Sequence, residues 1–282
     1  MSKAWKVDPA ESLKAGAGFV LADVDPASTP GFKGDKRDGE AVLAEGAAHL
    51  TELQQRLYAR GLQGDERRVL LVLQGMDTSG KDGTVRHVVG VTHPEGVQLK
   101  AFKAPTAWER RHDFLWRVAR EVPAPGMIGV FNRSHYEDVL IQRVHHLARD
   151  TEIERRYGAI NEFETGLAGR GITVLKVMLH ISPEEQKKRL QKRLDDPEKY
   201  WKYDPGDVTE RGFWNEYQEA YQLAIERCST DAAPWHVVPA DKKWFARAAV
   251  QRLLVGALEG LHLTWPLPDF DVAAEKTRLE KS

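Results

Sequence analysis

Gly75-Met76-Asp77-Thr78-Ser79-Gly80-Lys81-Asp82-Gly83 follows the apolar run Val69-Leu70-Leu71-Val72-Leu73 and precedes Thr84-Val85-Arg86-His87-Val88-Val89. The apolar run reads as a buried strand and the later segment as the opening of a helix. Strand, glycine-rich turn and helix, with Gly75 five residues before Gly80 and Lys81 next, is the arrangement that cradles phosphate. Glycines let backbone N–H groups converge without a Cβ in the way, and the helix N-terminus adds positive potential. Gly75, Thr78, Ser79, Gly80, Asp82 and Gly83 are thus candidate phosphate-binding positions, and Lys81 reaches the terminal phosphates as a point charge.

One position departs from the common pattern. Asp82 stands where most such loops put the Ser or Thr that holds magnesium, and a second carboxylate, Asp77, lies inside the loop. Two carboxylates in a phosphate cradle repel the ligand unless a metal lies between them, so Mg²⁺, with Mn²⁺ as a substitute, belongs to the reading. A glycine-rich surface turn before an ordinary helix is the plainer alternative, and the flanking elements argue against it.

Outward from this stretch, the 282 residues suit one large α/β domain. Net charge is −1, so no global field draws the chain to nucleic acid or membrane, and any basic site for a polyanion must be a local cluster. Cys228 is the single cysteine and forms no intrachain disulfide. The start, Met1-Ser2-Lys3-Ala4-Trp5-Lys6, lacks a signal peptide's apolar core, and no apolar run reaches membrane-span length. The expectation is a soluble cytoplasmic protein.

Residues 1–38 read as an irregular arm, left open between packing through Trp5, Phe19 and Phe32 and partial disorder. A helix is predicted over Glu40–Arg60, with Gly61 as its C-terminal cap. Val97–Phe102 alternates as a second strand. A helix is predicted over Thr106–Val122, stopped by Pro123; its Arg110, Arg111 and Arg117 could overhang the site, since it follows the strand beside the loop strand. Met127–Phe131 is a third strand, and its C-terminal end carries Asn132-Arg133-Ser134-His135-Tyr136-Glu137-Asp138. In open α/β sheets ligands sit off such ends. Arg133 is placed to touch phosphate, Glu137 and Asp138 are the nearest carboxylates, and His135 reads as a hydrogen-bonded structural histidine.

Helices follow over Tyr136–His146 and Thr151–Ala168, then a long strand, Ile172–His180. Ser182-Pro183-Glu184-Glu185 gives an N-cap, a Pro at N1 and a Glu at N3, so a helix starts there. It is strongly basic, Lys187-Lys188-Arg189-Leu190-Gln191-Lys192-Arg193-Leu194, and runs into Asp196-Pro197-Glu198-Lys199-Tyr200-Trp201-Lys202. After a phosphate loop, a basic helical excursion at about 187–212 reads as a lid that closes over phosphates and excludes water. Phe213–Arg227 is a core helix, Pro234–Pro239 a fifth strand, and Asp241 caps a helix over Lys242–Leu263. The phosphate-loop domain is thus 39–265, with a tail at 266–282. Strands alternating with helices give a parallel sheet of about five strands covered on both faces.

These features favour phosphoryl transfer over nucleotide binding alone. Three stretches also carry a resemblance: Gly75 to Gly83, Phe131-Asn132-Arg133-Ser134-His135-Tyr136-Glu137-Asp138-Val139-Leu140, and Asp196 to Lys202. They resemble the three signatures of the polyphosphate kinase 2 family, and the likeness runs from about residue 35 to 265. The resemblance implies a thymidylate-kinase-like P-loop fold and Mg²⁺-dependent transfer between inorganic polyphosphate and AMP, ADP or ATP. It leaves guanine nucleotides open and implies a homodimer or homotetramer. By position, it makes Asp77 the essential loop carboxylate and, with Asp138, a metal ligand. Lys81 and Arg133 become the phosphate contacts at the reacting centre, and Arg193, Lys199 and Lys202 the lid contacts. Arg117 and Glu137 join the nucleotide-binding set, and the Asn132 and Glu137 pairing resembles the subgroup accepting both AMP and ADP. Two rivals remain: an ATP-dependent nucleoside monophosphate kinase and a nucleotide-binding protein without turnover.

Overall fold

Five strands, β1 (Arg68–Gln74), β2 (Val97–Ala101), β3 (Ile128–Asn132), β4 (Ile172–His180) and β5 (Trp235–Pro239), form one sheet in the computed structural model, which describes residues 3–282. Every pairing is parallel and the order is β2-β3-β1-β4-β5. The chain leaves central β1 to build β2 at the edge, returns to β3 beside β1, then crosses to β4 on the other flank. The phosphate loop therefore emerges between the ends of β3 and β4, at the switch point where such sheets bind ligands. The segment after β2 follows an edge strand, with β3 between it and β1, and is not a neighbour of the loop strand as expected.

Helices connect and cover the sheet: α1 (Pro9–Ser12), α2 (Lys36–Leu62), α3 (Lys81–Val88), α4 (Trp116–Ala119), α5 (Ile141–Val144) and α6 (Asp150–Ala168), then α7 (Pro183–Leu194), α8 (Pro205–Arg211), α9 (Trp214–Cys228), α10 (Lys243–Glu259) and α11 (Val272–Glu280). Because strand side chains alternate, Val69, Leu71 and Leu73 of β1 face α2, α3 and α10, while Leu70 and Val72 face α6 and α9. Burying both faces is what an uninterrupted apolar strand requires. No helix among the described residues is long and apolar enough to cross a membrane.

The arm packs on the body. Trp5 is buried and bridges to Phe32, with rings 4.9 Å apart, and Lys14 bridges to His236 on the outer edge of β5. That cover shields an edge otherwise open to strand addition.

Four local expectations are corrected. The helix over Thr106–Val122 is broken into a 3-10 turn, Glu109–Arg111, and the short α4. His112 turns extended between them, stacking on Trp116 at 4.1 Å, and the Asp113 side chain accepts from Leu115 N–H to start the second piece. The helix over Tyr136–His146 divides into a 3-10 turn, His135–Asp138, and α5, because Leu140 between them has non-helical angles. Gly61 is inside α2 rather than its cap; a Cβ there would meet Gly126 Cα at 2.5 Å, so close backbone approach is what it provides. Asp241 does not cap α10. Its carboxylate accepts from Ser182 N–H at 2.8 Å and Ser182 Oγ at 2.7 Å, tying the start of α7 to the end of β5. Within the tail, α11 buries no residue.

A buried polar cluster fixes the segment after β3. Glu164 accepts from Lys176 Nζ at 2.6 Å and Tyr136 OH at 2.9 Å, and His135 Nε2 lies 3.0 Å from the same carboxylate. His135, Glu164 and Lys176 are all fully buried, as a structural histidine should be. Replacing Lys176 with methionine leaves Glu164 without its cation and is expected to cost about 3–5 kcal/mol. At roughly 2–4 °C per kcal/mol for a domain of this size, thermal unfolding should shift down by about 10 °C. A shift under about 3 °C would show that His135 and Tyr136 satisfy Glu164 alone.

Candidate active site

The loop after β1 needs glycine where it turns. Gly75 has φ 144°, and a Cβ there would lie 2.5 Å from Leu179 O of β4. Its N–H donates to the buried Tyr221 hydroxyl at 3.0 Å. Thr78 and Arg133 both sit at φ 62°, a conformation that costs a non-glycine residue about 1–3 kcal/mol and gathers at functional sites. The Thr78 and Ser79 hydroxyls are buried without a hydrogen-bond partner in the protein.

Lys81 opens α3 and is buried. Its Nζ donates to Gly75 O at 2.6 Å and Met76 O at 3.1 Å. Burial pushes the ammonium below the usual lysine range, against the opposing pull of Asp77. Asp77 Oδ1 accepts from Arg133 Nη2 at 2.7 Å, and Asp82 Oδ1 accepts from Asn132 Nδ2 at 2.8 Å. The end of β3 thus meets both loop carboxylates, one with a cation and one with a neutral amide.

These groups line a cleft of about 720 Å³. Lys81, Arg133, Arg193, Lys199 and Lys202, all expected from the sequence, face it together with Thr78, Ser79, Gly80, Asp82 and Gly83. Five further cations do so: Lys103, Arg189, Lys192, Lys243 and Arg247. Asp77, Asp82, Asp204 and Asp207 are the opposing charges, so ten cations meet four aspartates in a chain whose net charge is −1. Crowding leaves its mark: burial and then Arg189 push Lys243 and Arg247 below their ordinary ranges, while burial and then Asp77 push Asp207 up.

The lid segment comprises the end of α7, a 3-10 turn over Pro197–Lys202, and α8. Arg193 Nη1 donates to Lys202 O at 2.8 Å and to Asp207 Oδ2 at 3.0 Å, folding the segment back on α7, and Lys199 pairs with Asp196.

Asp138, Arg117 and Glu137 lie outside the lining of this cleft. Asp138 is buried between Arg117, 3.6 Å from Oδ2, and Arg156, 3.7 Å from Oδ1. Burial raises its carboxyl above the ordinary range in spite of both arginines. Arg117 Nη1 donates to Lys103 O at 2.7 Å, so it holds up the backbone from which Lys103 enters the cleft. Glu137 accepts from Gln74 Nε2 at 3.2 Å and stands 4.0 Å from Arg133. No group of three or more His, Cys, Asp or Glu that could hold a metal occurs among the described residues. Asp77 and Asp82 are the two carboxylates that the loop itself brings to the cleft. That fits a divalent ion of the magnesium kind, which takes one or two carboxylates and completes its shell with water and substrate phosphate.

Sequence reasoning missed Lys103, Gln186, Tyr221, Lys243 and Arg247 as parts of this region. The spacing Lys243 to Arg247 on one helical face, just after a strand end, was the available signal for the last pair.

The family model described as polyphosphate kinase 2 matches residues 33–264. The AMP/ADP-polyphosphate phosphotransferase of Meiothermus ruber is 47% identical over 262 residues, covering 93% of this chain and 96% of its own. The ADP-polyphosphate phosphotransferase of Rhodopseudomonas palustris is 39% identical over 268 residues, covering 91% and 90%. The crystal structure of polyphosphate kinase 2 from Arthrobacter aurescens TC1 superposes with a TM-score of 0.97 at 59% identity, covering 99% and 98%.

Proposed function

The chain belongs to the polyphosphate kinase 2 family, and we propose that it transfers phosphoryl groups between inorganic polyphosphate and nucleotides, making ATP from ADP and ADP from AMP. The observation that carries this reading is the cleft: a phosphate loop at one end and cations from α3, α7, the lid and α10 along it. Donor and acceptor are both polyanions, and bringing them together costs several kcal/mol in a poorly screened site unless cations intervene. Each charge-assisted contact to phosphate supplies about 1.5–3 kcal/mol.

The step needs little proton chemistry. An anionic oxygen of the nucleotide's terminal phosphate attacks the terminal phosphorus of polyphosphate. One P–O bond forms, the bond to the bridging oxygen breaks, and polyphosphate one unit shorter leaves as an anion. Lys81 holds the transferred group, Arg133 steadies the equatorial oxygens from its anchor on Asp77, and the lid lysines and Arg193 screen the donor chain. Asp77 and Asp82 would hold Mg²⁺, or Mn²⁺, against the substrate phosphates, and the ion would neutralise the charge that develops there. Asp138, held by two arginines, serves better as a support for Arg117 than as a metal ligand.

Acceptance of AMP beside ADP rests on Asn132 and Glu137, together with the Meiothermus ruber relative, named for both acceptors. Asn132 gives Asp82 a hydrogen bond where an aspartate would add a repelling charge. A homodimer or homotetramer in the cytoplasm belongs to the same reading and rests on the family.

Nucleotide products should be separated chromatographically after incubation with Mg²⁺, polyphosphate and either AMP or ADP. ADP and ATP from AMP, and ATP from ADP, is the expected result. ATP from ADP alone would reject the two-acceptor reading. Transfer only from ATP to a monophosphate would put an ATP-dependent monophosphate kinase in its place.

A further inference from the structure

Arg189 lines the cleft, yet it has no donor to offer a phosphate. A guanidinium carries five N–H groups. Here Nε donates to Glu185 Oε1 at 2.8 Å, and Nη1 to Thr78 O at 3.0 Å and Ser79 O at 2.9 Å. The two on Nη2 go to Ala240 O at 2.6 Å and Asp241 O at 3.0 Å. All five are spent inside the protein. Arg193, one turn further along α7, bonds through Nη1 alone.

One turn before Arg189, on the same face, Gln186 is buried and its Nε2 donates to Asp77 O at 3.0 Å. Three successive loop carbonyls, those of Asp77, Thr78 and Ser79, are therefore pinned by α7, and Lys81 takes the two before them. In a trans peptide the C=O and the following N–H point opposite ways. Pinning those carbonyls on α7 turns the N–H groups of Thr78, Ser79 and Gly80 away from it. The Ser79 N–H closes the loop on Met76 O at 3.1 Å, and those of Thr78 and Gly80 are left to form a nest for an anion. Gln186 also accepts from Arg211 of α8 at 2.6 Å, so the lid helix is joined to the carbonyl of Asp77 through one side chain.

The geometry points to Arg189 and Gln186 as positioning residues that set the direction of the phosphate loop's N–H groups from outside the loop and couple it to the lid. This inference rests on the proposed phosphoryl transfer for its kinetic arm only.

The test is Arg189→Lys, which keeps the positive charge and loses the fork. Hydrogen exchange of the peptide spanning residues 75–82, followed by mass spectrometry, needs no substrate and should be faster in the variant. Well below the unfolding midpoint, kcat with polyphosphate and ADP should fall about 30-fold, with KM for polyphosphate changed less than twofold. Unchanged exchange overturns the inference. So does a raised KM at wild-type kcat, which would make Arg189 a substrate-binding cation. Should the variant not fold, Gln186→Met removes the grip on the Asp77 carbonyl together with the acceptor for Arg211, with the same expected directions and the same overturning results. Wild-type protein that ignores polyphosphate would defeat the functional reading and leave the exchange result to decide this one.

Discussion

Lys81→Met loses phosphoryl transfer by about a thousandfold in kcat/KM, with the fold retained. Methionine keeps the unbranched apolar stem that lies buried at the start of α3 and removes the ammonium. Two losses follow from the same atom. The charge that would meet the transferred phosphoryl group disappears, and Gly75 O and Met76 O lose the ammonium's hydrogen bonds, Met76 O keeping the one from Ser79 N–H. A single preorganised donor at such a site is worth a factor of 10²–10³, and a thousandfold corresponds to roughly 4 kcal/mol. Lys81→Arg should fare little better, because a planar fork cannot enter the space between two loop carbonyls and still present a point charge. Product formation from ADP and polyphosphate, with a thermal melt as the fold control, checks both. A methionine variant holding more than a tenth of the wild-type rate would remove Lys81 from the centre of the site.

What the sequence disclosed about this site was what local chemistry governs. β4 occupies Ile172–His180 as expected, because an apolar run carrying the β-branched Ile172, Thr173, Val174 and Val177 lies between Gly171 and the Ser182-Pro183 cap. The start of α7 was equally legible, since Ser182 accepts from Glu185 N–H as an N-cap should. Arg110, Arg111 and Arg117 do not share one long helix, because His112 and Asp113 interrupt it through side-chain contacts that no periodicity records. Asp241 had the residue type and position of a helix cap. Its carboxylate instead serves Ser182, 59 residues earlier, a choice only tertiary structure makes. Lys243 and Arg247 reach the cleft because α10 packs on α3, the helix that Lys81 begins, across some 160 residues of chain. The net charge of −1 hid this, since acids elsewhere balance a strongly cationic cleft.

Asp77→Asn separates the two roles that one carboxylate holds. The substitution keeps the shape of the side chain, and its amide oxygen can still accept from Arg133 Nη2, which lies 2.7 Å from the native Asp77 Oδ1. It leaves the Asp77 carbonyl on Gln186 and removes only the charge. Stability should therefore change little: the Asp77–Arg133 pair is partly exposed on both sides, and such pairs contribute about 0–1 kcal/mol. Turnover should fall by about a hundredfold or more. With the negative charge gone, Arg133 is less firmly anchored in its left-handed conformation, and a divalent ion has only Asp82 left in the loop. The two causes part on magnesium titration. If Asp77 serves the ion, the Mg²⁺ concentration for half-maximal rate rises severalfold in the variant and excess Mg²⁺ restores part of the rate. If it serves only to orient Arg133, kcat drops at an unchanged Mg²⁺ midpoint. Wild-type turnover at every Mg²⁺ concentration would leave the loop carboxylate without a part in the reaction.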